Sequence, residues 1–259
     1  MLIGCCGNTV SYDTISRMGY DYIELAGGQL MTLSDAEFLA FAAHTKEVGF
    51  PTPSINAYTT GDHPLVGPDW DPEDVRGYAR ALCQRAAILD VKGIGIGAPA
   101  ARRLPEGFDP EEADRQMKQT LQIIAEEAAR YGIQVLLEAL HRYTCEYLND
   151  TDRAAALVRE LALPNLYLVY DWYHAEVMGE DYAPMHAAMP LIRHLHYSSD
   201  LGEDHARGFV TEEKYEEFRT FLAEARKDGY DDKISVEADG AWLERDGAEC
   251  AVLMRRAME

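Results

Sequence analysis

The chain of 259 residues lacks any long uninterrupted apolar run. No segment approaches the roughly 18 to 20 consecutive apolar residues that a membrane-spanning helix requires. The first residues read Met-Leu-Ile-Gly-Cys-Cys, and no basic stretch precedes the apolar ones, so no secretory signal is visible. We therefore expect a cytoplasmic protein that has no membrane partner.

Positive charge is also scarce. The chain has 24 Lys and Arg residues against 45 Asp and Glu residues, which gives a formal net charge of −21. Proteins bind the phosphate backbone of nucleic acids through basic patches, and an excess of negative charge opposes such binding. It opposes docking to an anionic membrane in the same way. We expect no nucleic-acid partner.

Cysteine is sparse and unpaired in the sequence. The five cysteines form an odd, scattered set that contains no Cys-x-x-Cys pair. This argues against a disulfide framework and against a zinc knuckle. We expect ordinary reduced thiols.

No linker or low-complexity segment divides the chain. Short apolar runs alternate with amphipathic helical patterns along its whole length, which favours a single domain over residues 1–259. Eight such units are typical of a closed (β/α)8 TIM barrel of the α/β class, with an open doubly wound sheet as the alternative. The predicted strands are Leu2–Cys6, Tyr22–Leu25, Ser54–Ala57, Val91–Ile96, Ile133–Glu138, Leu166–Asp171, Ile192–His196 and Ile234–Glu237.

Helix starts are marked by capping residues. Ser34, followed three residues later by Glu37, predicts a capping box. Asp71 and Asp109 each precede a proline and a glutamate, the pattern typical of a first helical turn. Gly132 predicts a helix end.

Four acidic or imidazole groups stand where the last four predicted strands end: Glu138, Asp171, His196 and Glu237. A charge at the end of a buried apolar run is costly unless a partner or ligand meets it. Because parallel strands end at the same mouth of a barrel, we expect the four groups to converge there.

This set of two glutamates, one aspartate and one histidine carries a formal charge of about −3 at neutral pH. It suits one hard divalent ion, with Mn²⁺ favoured and Mg²⁺ or Co²⁺ as alternatives, and Zn²⁺ accepts the same ligand types. The ordinary alternative is that each group caps a helix or pairs with a nearby base. Arg142, Arg193 and Arg207 are the candidates for such pairing.

Three further residues are candidates for substrate binding. His174 follows Asp171 by three residues and Arg142 follows Glu138 by four, so both leave the same mouth. Trp172 offers an aromatic face on which a sugar ring could stack. The alternatives are that His174 and Trp172 pack the following helix and that Arg142 only neutralises the mouth.

Three other features of the sequence are interpreted as structural or electrostatic and not as ligands. His194 lies one inward position deeper than His196, so we expect it to fill an interior layer of the barrel. Glu24 ends the second predicted strand, and we interpret it as an electrostatic addition on the opposite side. The Gly-rich run at 93–97 lacks a full dinucleotide fingerprint, so it is interpreted as a strand with small residues at a crowded mouth.

The order of these strand-end residues resembles that of the xylose isomerase-like TIM barrel superfamily. This sugar phosphate isomerase/epimerase group includes ketose 3-epimerases, hydroxypyruvate isomerases and inosose dehydratases. The resemblance implies that Glu138, Asp171, His196 and Glu237, in that order, hold the family's metal. The step from Asp171 to His174 is similar as well.

The resemblance also implies an activity, that of a divalent-metal-dependent sugar isomerase or epimerase. Such enzymes move a proton α to a carbonyl through an enediolate of a ketose or related keto-sugar. Glu138 and Glu237 would remove and return the proton on opposite faces. The implied partner is a small-molecule carbohydrate, and the sequence leaves a homo-oligomer open.

Two departures limit the resemblance to ketose 3-epimerases. Those enzymes usually have a glutamate six residues after the first metal ligand and an arginine six after the metal histidine, where this chain has Thr144 and Gly202. A lyase or dehydratase acting on a keto-sugar, keto-cyclitol or 3-keto-glycoside is therefore the alternative. A non-catalytic sugar-binding barrel is a minor one. The similar apurinic endonucleases bind DNA, which the net charge opposes.

Overall fold

The computed structural model describes residues 1–202 and 206–259. Its strands are β1 (Leu2–Gly7), β2 (Tyr22–Ala26), β3 (Ser54–Asn56), β4 (Gly93–Ile96), β5 (Gln134–Leu137), β6 (Leu166–Asp171), β7 (Ile192–Tyr197), β8 (Ser199–Asp200), β9 (Arg207–Gly208) and β10 (Lys233–Val236). Eight of them close a parallel barrel in the order β1, β10, β7, β6, β5, β4, β3 and β2, which confirms the predicted TIM barrel. The remaining two, β8 and β9, form a short antiparallel pair beyond β7.

Helices surround the barrel and begin at the predicted caps. Ser34 and Glu37 form the capping box, and the side chains of Asp71 and Asp109 accept hydrogen bonds from the first helical turns that follow them. The helices are α1 (Tyr12–Ile15), α2 (Gly27–Met31), α3 (Asp35–Val48), α4 (Pro72–Ile88), α5 (Pro110–Ala129), α6 (Thr151–Leu161), α7 (Trp172–Val177), α8 (Ala183–Ala188), α9 (Tyr215–Lys227) and α10 (Leu243–Met258).

The structure differs from the prediction at several boundaries. β4 begins at Gly93 rather than Val91, because the N–H of Val91 donates to the carbonyl of Ala86 and so closes the end of α4. The last helix, α10, and the pair formed by β8 and β9 were not predicted. The five cysteines are free, as expected. Within the described residues, no helix is both long and apolar enough to span a membrane.

The barrel interior is packed beneath its mouth. The hydroxyl of Tyr22 lies 2.9 Å from the hydroxyl of Ser235, and His194 is fully buried at the same depth. A Cβ atom at Gly4 would lie 2.2 Å from the Tyr22 ring, so a glycine is required there. This filled layer is the floor on which the mouth residues stand, and it confirms His194 as an interior residue.

Candidate active site at the carboxyl end of the barrel

Four side chains from the carboxyl ends of strands meet at one point. Asp171 ends β6 and His196 lies near the end of β7, while Glu138 and Glu237 directly follow β5 and β10. Ligand atoms of all four lie within 4.8 Å of one another. Three of the side chains are buried, and Glu237 is partly exposed. The structure thus brings the four predicted ligands together, and their binding of an ion stays a prediction.

His196 is oriented by a carboxylate beneath it. Its Nε2 atom lies 3.1 Å from Oε2 of Glu24. Its Nδ1 atom lies 3.6 Å from Oε1 of Glu138 and 3.2 Å from Oε2 of Glu237. A carboxylate that holds one ring nitrogen decides which nitrogen faces a metal or substrate. The Nδ1 atom is therefore the one presented to the site.

Glu24 is an interior residue, which corrects its predicted place at a strand end. β2 continues to Ala26, so Glu24 points into the barrel and is only 1% exposed. It accepts a hydrogen bond from Ser235 at 2.6 Å and lies 2.9 Å from Nε2 of His194. Burial raises the pKa of Glu24, but His194 and His196 outweigh burial and hold it well below its ordinary value. Glu24 therefore supports His196 as an anion.

Glu138 and Glu237 have opposite protonation tendencies. Burial is the main cause that raises the pKa of Glu138 to about 7. Burial also acts on Glu237, but Arg207 and His196 outweigh it and lower the pKa of Glu237. The amide of Asn56 donates to Oε1 of Glu237 at 2.9 Å. Two carboxyls whose pKa values are pushed apart are the usual acid and base of an active site.

Residues after β4 fix the position of Glu138. A Cβ atom at Gly97 would lie 2.3 Å from Oε2 of Glu138, so a larger residue there would displace the carboxylate. The fully buried Arg102 donates from Nη1 to the carbonyl of Glu138 at 2.9 Å. The small residues of the 93–97 run therefore serve a crowded mouth, as the sequence indicated.

Arg207 is a site residue that the sequence prediction gave only as one of three neutralising bases. From β9 its Nη2 atom donates to Oδ2 of Asp171, and to Oε2 of Glu237 at 2.9 Å. Its Nε atom donates to the carbonyl of Glu237 at 2.8 Å, and the guanidinium lies 4.6 Å from the centre of the Tyr173 ring. Gly202 stands where ketose 3-epimerases usually have an arginine, but β9, the next strand, brings Arg207 to the site.

His174 lies beside the same carboxylates. Its Nδ1 atom accepts a hydrogen bond from the N–H of His141 at 3.2 Å. Its Nε2 atom lies 3.8 Å from Oδ2 of Asp171 and 3.9 Å from Oε1 of Glu138. Burial, with Arg207 adding to it, lowers the pKa of His174 well below its ordinary value. His174 therefore presents a neutral imidazole, consistent with contact to a substrate hydroxyl.

The structure does not place Trp172 and Arg142 in the site. The ring of Trp172 stacks on Tyr182 at 4.4 Å and lies 5.9 Å from Phe221, because the first turn of α7 directs it outward into the helix layer. Arg142 is exposed and does not line the cavity over the carboxylates. Substrate contact by Trp172 and Arg142 stays a prediction.

Two buried atoms of these four side chains indicate whether the site fits a divalent ion. Within the described part of the chain, Oε1 of Glu138 and Nδ1 of His196 are buried without a hydrogen-bond partner. Such atoms are costly to bury unless a ligand meets them. The residues present therefore fit a hard cation. Arg207 contacts the carboxylates of Asp171 and Glu237, so it would compete with an ion for their oxygens.

A second group of metal-ligand type lies just below. Cys6, Glu24 and His196 also bring ligand atoms within 4.8 Å of one another. Burial raises the pKa of the Cys6 thiol well above its ordinary value, and nearby Glu24 raises it further. Glu24 already accepts hydrogen bonds from Cys6 and Ser235, so we assign no ion to this group.

Two adjoining cavities open at the mouth. The inner cavity, of about 290 Å³, lies over the carboxylates and is lined by residues that include Gly97, Glu138, Thr144, His174, Arg207 and Glu237. The outer cavity, of about 600 Å³, lies over the ends of β1, β2 and β3 and is lined by residues that include Asn8, Val10, Gln29, Asn56, Phe209 and Ala241. Glu237 and Ala57 line both.

Comparison with known proteins gives the family. A family model described as xylose isomerase-like TIM barrel matches residues 12–255. The 3-dehydro-D-guloside 4-epimerase of Escherichia coli (strain K12) is 25% identical over 232 residues, which are 86% of this chain and 84% of that protein. A relative of nearly full length is thus a sugar epimerase.

Solved structures share the fold. The crystal structure of D-psicose 3-epimerase from Clostridium cellulolyticum H10 with D-tagatose has a TM-score of 0.79 at 17% identity, and the match covers 100% of both chains. The IolI protein with a bound zinc atom has a TM-score of 0.75 at 17% identity, and the match covers 100% of this chain and 96% of that one.

Proposed function

Because the chain belongs to the xylose isomerase-like TIM barrel family, we propose that it is a divalent-metal-dependent sugar epimerase or isomerase. Its reaction moves a proton α to the carbonyl of a keto-sugar. Relatives named as epimerases of a dehydro-guloside and of ketoses support this class. The finer assignment rests on the inner cavity.

One observation carries the proposal: Glu138 and Glu237 line the same cavity, and their carboxylate oxygens lie within 4.8 Å of one another. Burial raises the pKa of Glu138 to about 7, while the pKa of Glu237 is lowered despite its burial, through Arg207 and His196. Epimerisation needs one group that accepts a proton and another that returns one on the opposite face. Glu237, which Asn56 holds where the two cavities meet, would accept the proton. Glu138, which lines the inner cavity, would return one.

The other residues bind and orient the substrate. Neutral His174 and the guanidinium of Arg207 both face the inner cavity, where Nη1 of Arg207 lies 3.3 Å from Nε2 of His174. The guanidinium can donate a hydrogen bond to a substrate oxygen. Glu138, Asp171, His196 and Glu237 would hold one ion, for which Mn²⁺ is favoured. When bound, that ion polarises the substrate carbonyl and makes the adjacent C–H more acidic.

Solvent deuterium exchange tests the proposal. The chain is loaded with MnCl2 in D2O and offered ketoses, keto-cyclitols and 3-keto-glycosides, and the products are followed by NMR. We expect deuterium at a carbon α to the carbonyl together with an epimer or isomer, and loss of both after chelation by EDTA. If no compound shows deuterium exchange, the proposal that the chain is such an enzyme is wrong. Deuterium with loss of water or of the aglycone would instead favour the lyase.

A further inference from the structure

The catalytic cavity is the smaller part of the space at the mouth. The outer cavity, at about 600 Å³, has about twice the volume of the inner one, at about 290 Å³. Ligand cavities span about 300 to 1,000 Å³, so the inner cavity lies at the small end of that range and suits one small ring. The outer cavity has room for a second group at least as large.

Glu237 stands at the boundary between the two. Its Oε2 atom faces Arg207 and His196 in the inner cavity, while its Oε1 atom accepts the hydrogen bond from Asn56, which lines the outer one. A substrate carbon that gives its proton to Glu237 must therefore lie at this boundary. Any group joined to the reacting ring on that side extends into the outer cavity.

The walls of the outer cavity indicate what the second group is. Amide and hydroxyl side chains, which include Asn8 and Gln29, line the cavity together with the apolar Val10 and Phe209. The amide nitrogen of Asn8 donates no hydrogen bond to any described residue, although its oxygen accepts two. No lysine or arginine is among the described residues that line the cavity. Glu237 and Glu244 are the charged groups among these residues, and carboxylates repel a phosphate. The remaining mixed polar and apolar walls suit an uncharged ring.

We propose that the substrate is a glycoside of a keto-sugar, with the keto ring in the inner cavity and an uncharged aglycone or second sugar in the outer cavity. The inference rests on the proposed epimerase or isomerase activity and narrows its substrate class. A free ketose would leave the larger cavity filled only with water.

A matched substrate series tests the size of the second group. The Mn²⁺-loaded chain is given D-fructose, methyl 3-keto-β-D-glucopyranoside and phenyl 3-keto-β-D-glucopyranoside, and kcat/KM for deuterium exchange is measured for each. We expect the phenyl glycoside to exceed the methyl glycoside by about tenfold or more, because burial of the ring contributes binding energy. D-Fructose should be the poorest of the three.

Variants that fill the outer cavity provide a second test of the proposal. Ala241 lines it and is exposed, so Ala241→Trp reduces its volume without disturbing the core. The ratio of phenyl to methyl kcat/KM should then fall toward one. Ala248→Trp, at an exposed position of α10 outside the cavity, is the matched control and should keep the ratio. Val10→Trp, at a cavity position that is 84% exposed, repeats the test if the first variant folds poorly.

The outcomes separate the two proposals. Exchange of D-fructose as fast as that of either glycoside would overturn the glycoside inference and leave the epimerase standing. A ratio unchanged by both cavity-filling variants would also overturn it. Exchange in none of the three compounds, nor in any other keto-sugar, would contradict the proposed function itself.

Discussion

The inner and outer cavities share Glu237 but differ in origin and charge. The inner cavity is built on strand ends and carries buried carboxylates, imidazoles and one guanidinium. The outer cavity is built largely from the loops and helix starts that follow the strands, and Glu237 and Glu244 are the charged residues in the part of its lining that the structure describes. In a TIM barrel the strands hold the catalytic groups rigidly, whereas loops vary freely. The difference assigns chemistry to the inner cavity and substrate choice to the outer one.

The largest effect is expected at the boundary residue. Glu237→Gln keeps the shape of the side chain but loses its charge and basicity, so deuterium exchange should fall roughly 10³-fold. The melting temperature should show that the fold remains. Glu249→Gln, at an exposed position on α10, is the matched control. Full activity in Glu237→Gln would remove this residue from the mechanism.

The next largest effect is expected at Arg207, with Arg142 as its control. Arg207→Gln should lower exchange by roughly 10- to 100-fold, because it removes a partly buried donor that faces the inner cavity. Binding of Mn²⁺ should not weaken, since the guanidinium competes for Asp171 and Glu237. The exposed Arg142→Gln is the control and should change little. Equal losses in both variants would return Arg142 to the site.

The support beneath His196 should have a smaller effect. Glu24→Gln removes the charge that orients the imidazole from below, and residues of this kind typically alter metal affinity by about 10-fold or more. Calorimetric titration with MnCl2 measures the change, again with Glu249→Gln as the control. An unchanged affinity would mean that packing alone orients His196.

The smallest expected effect is one on stability. The pKa of Glu138 is raised by burial to about 7 from an ordinary 4.5, so between these values the folded chain binds more protons than the unfolded one. Its free energy of unfolding therefore falls as pH rises through this window. Glu138→Gln has no carboxyl at this position, so its stability does not fall for this reason. In EDTA, the difference in free energy of unfolding between Glu138→Gln and the wild type should therefore rise by on the order of 2 kcal/mol from pH 5 to pH 8, or about 5 °C in melting temperature.

Thermal unfolding of the metal-free proteins at several pH values measures this gain. The exposed Glu249→Gln variant controls for the loss of one charge. A difference between Glu138→Gln and wild type that shrinks as pH rises would show that Glu138 is not buried as a strained carboxyl.

The sequence predicted the part of the site that strands carry. Glu138, Asp171, His196 and Glu237 could be found because each follows or ends a buried apolar run, and parallel strands end at one mouth. Glu24 was interpreted as a residue at the rim, but β2 continues to Ala26, one residue beyond the predicted end at Leu25, and Glu24 lies in the interior. The count of one domain stays a prediction.

Loop and helix positions could not be predicted in the same way. Arg207 reaches the site through the pairing of β8 with β9, a contact that no local pattern signals. Trp172 directly follows β6, but the start of α7 turns its ring toward Tyr182 and away from the mouth. Such orientations depend on tertiary packing, so local sequence patterns do not predict them.

The central claim is that four strand-end side chains hold one divalent ion between the two proton-carrying glutamates. Titration of the EDTA-treated chain with MnCl2 by calorimetry tests it most directly. We predict one ion bound per chain, and loss of that binding in the Asp171→Asn, His196→Gln double variant, which should keep the fold of the wild type. Absence of binding in the wild type, or equal binding in the double variant, would contradict the account.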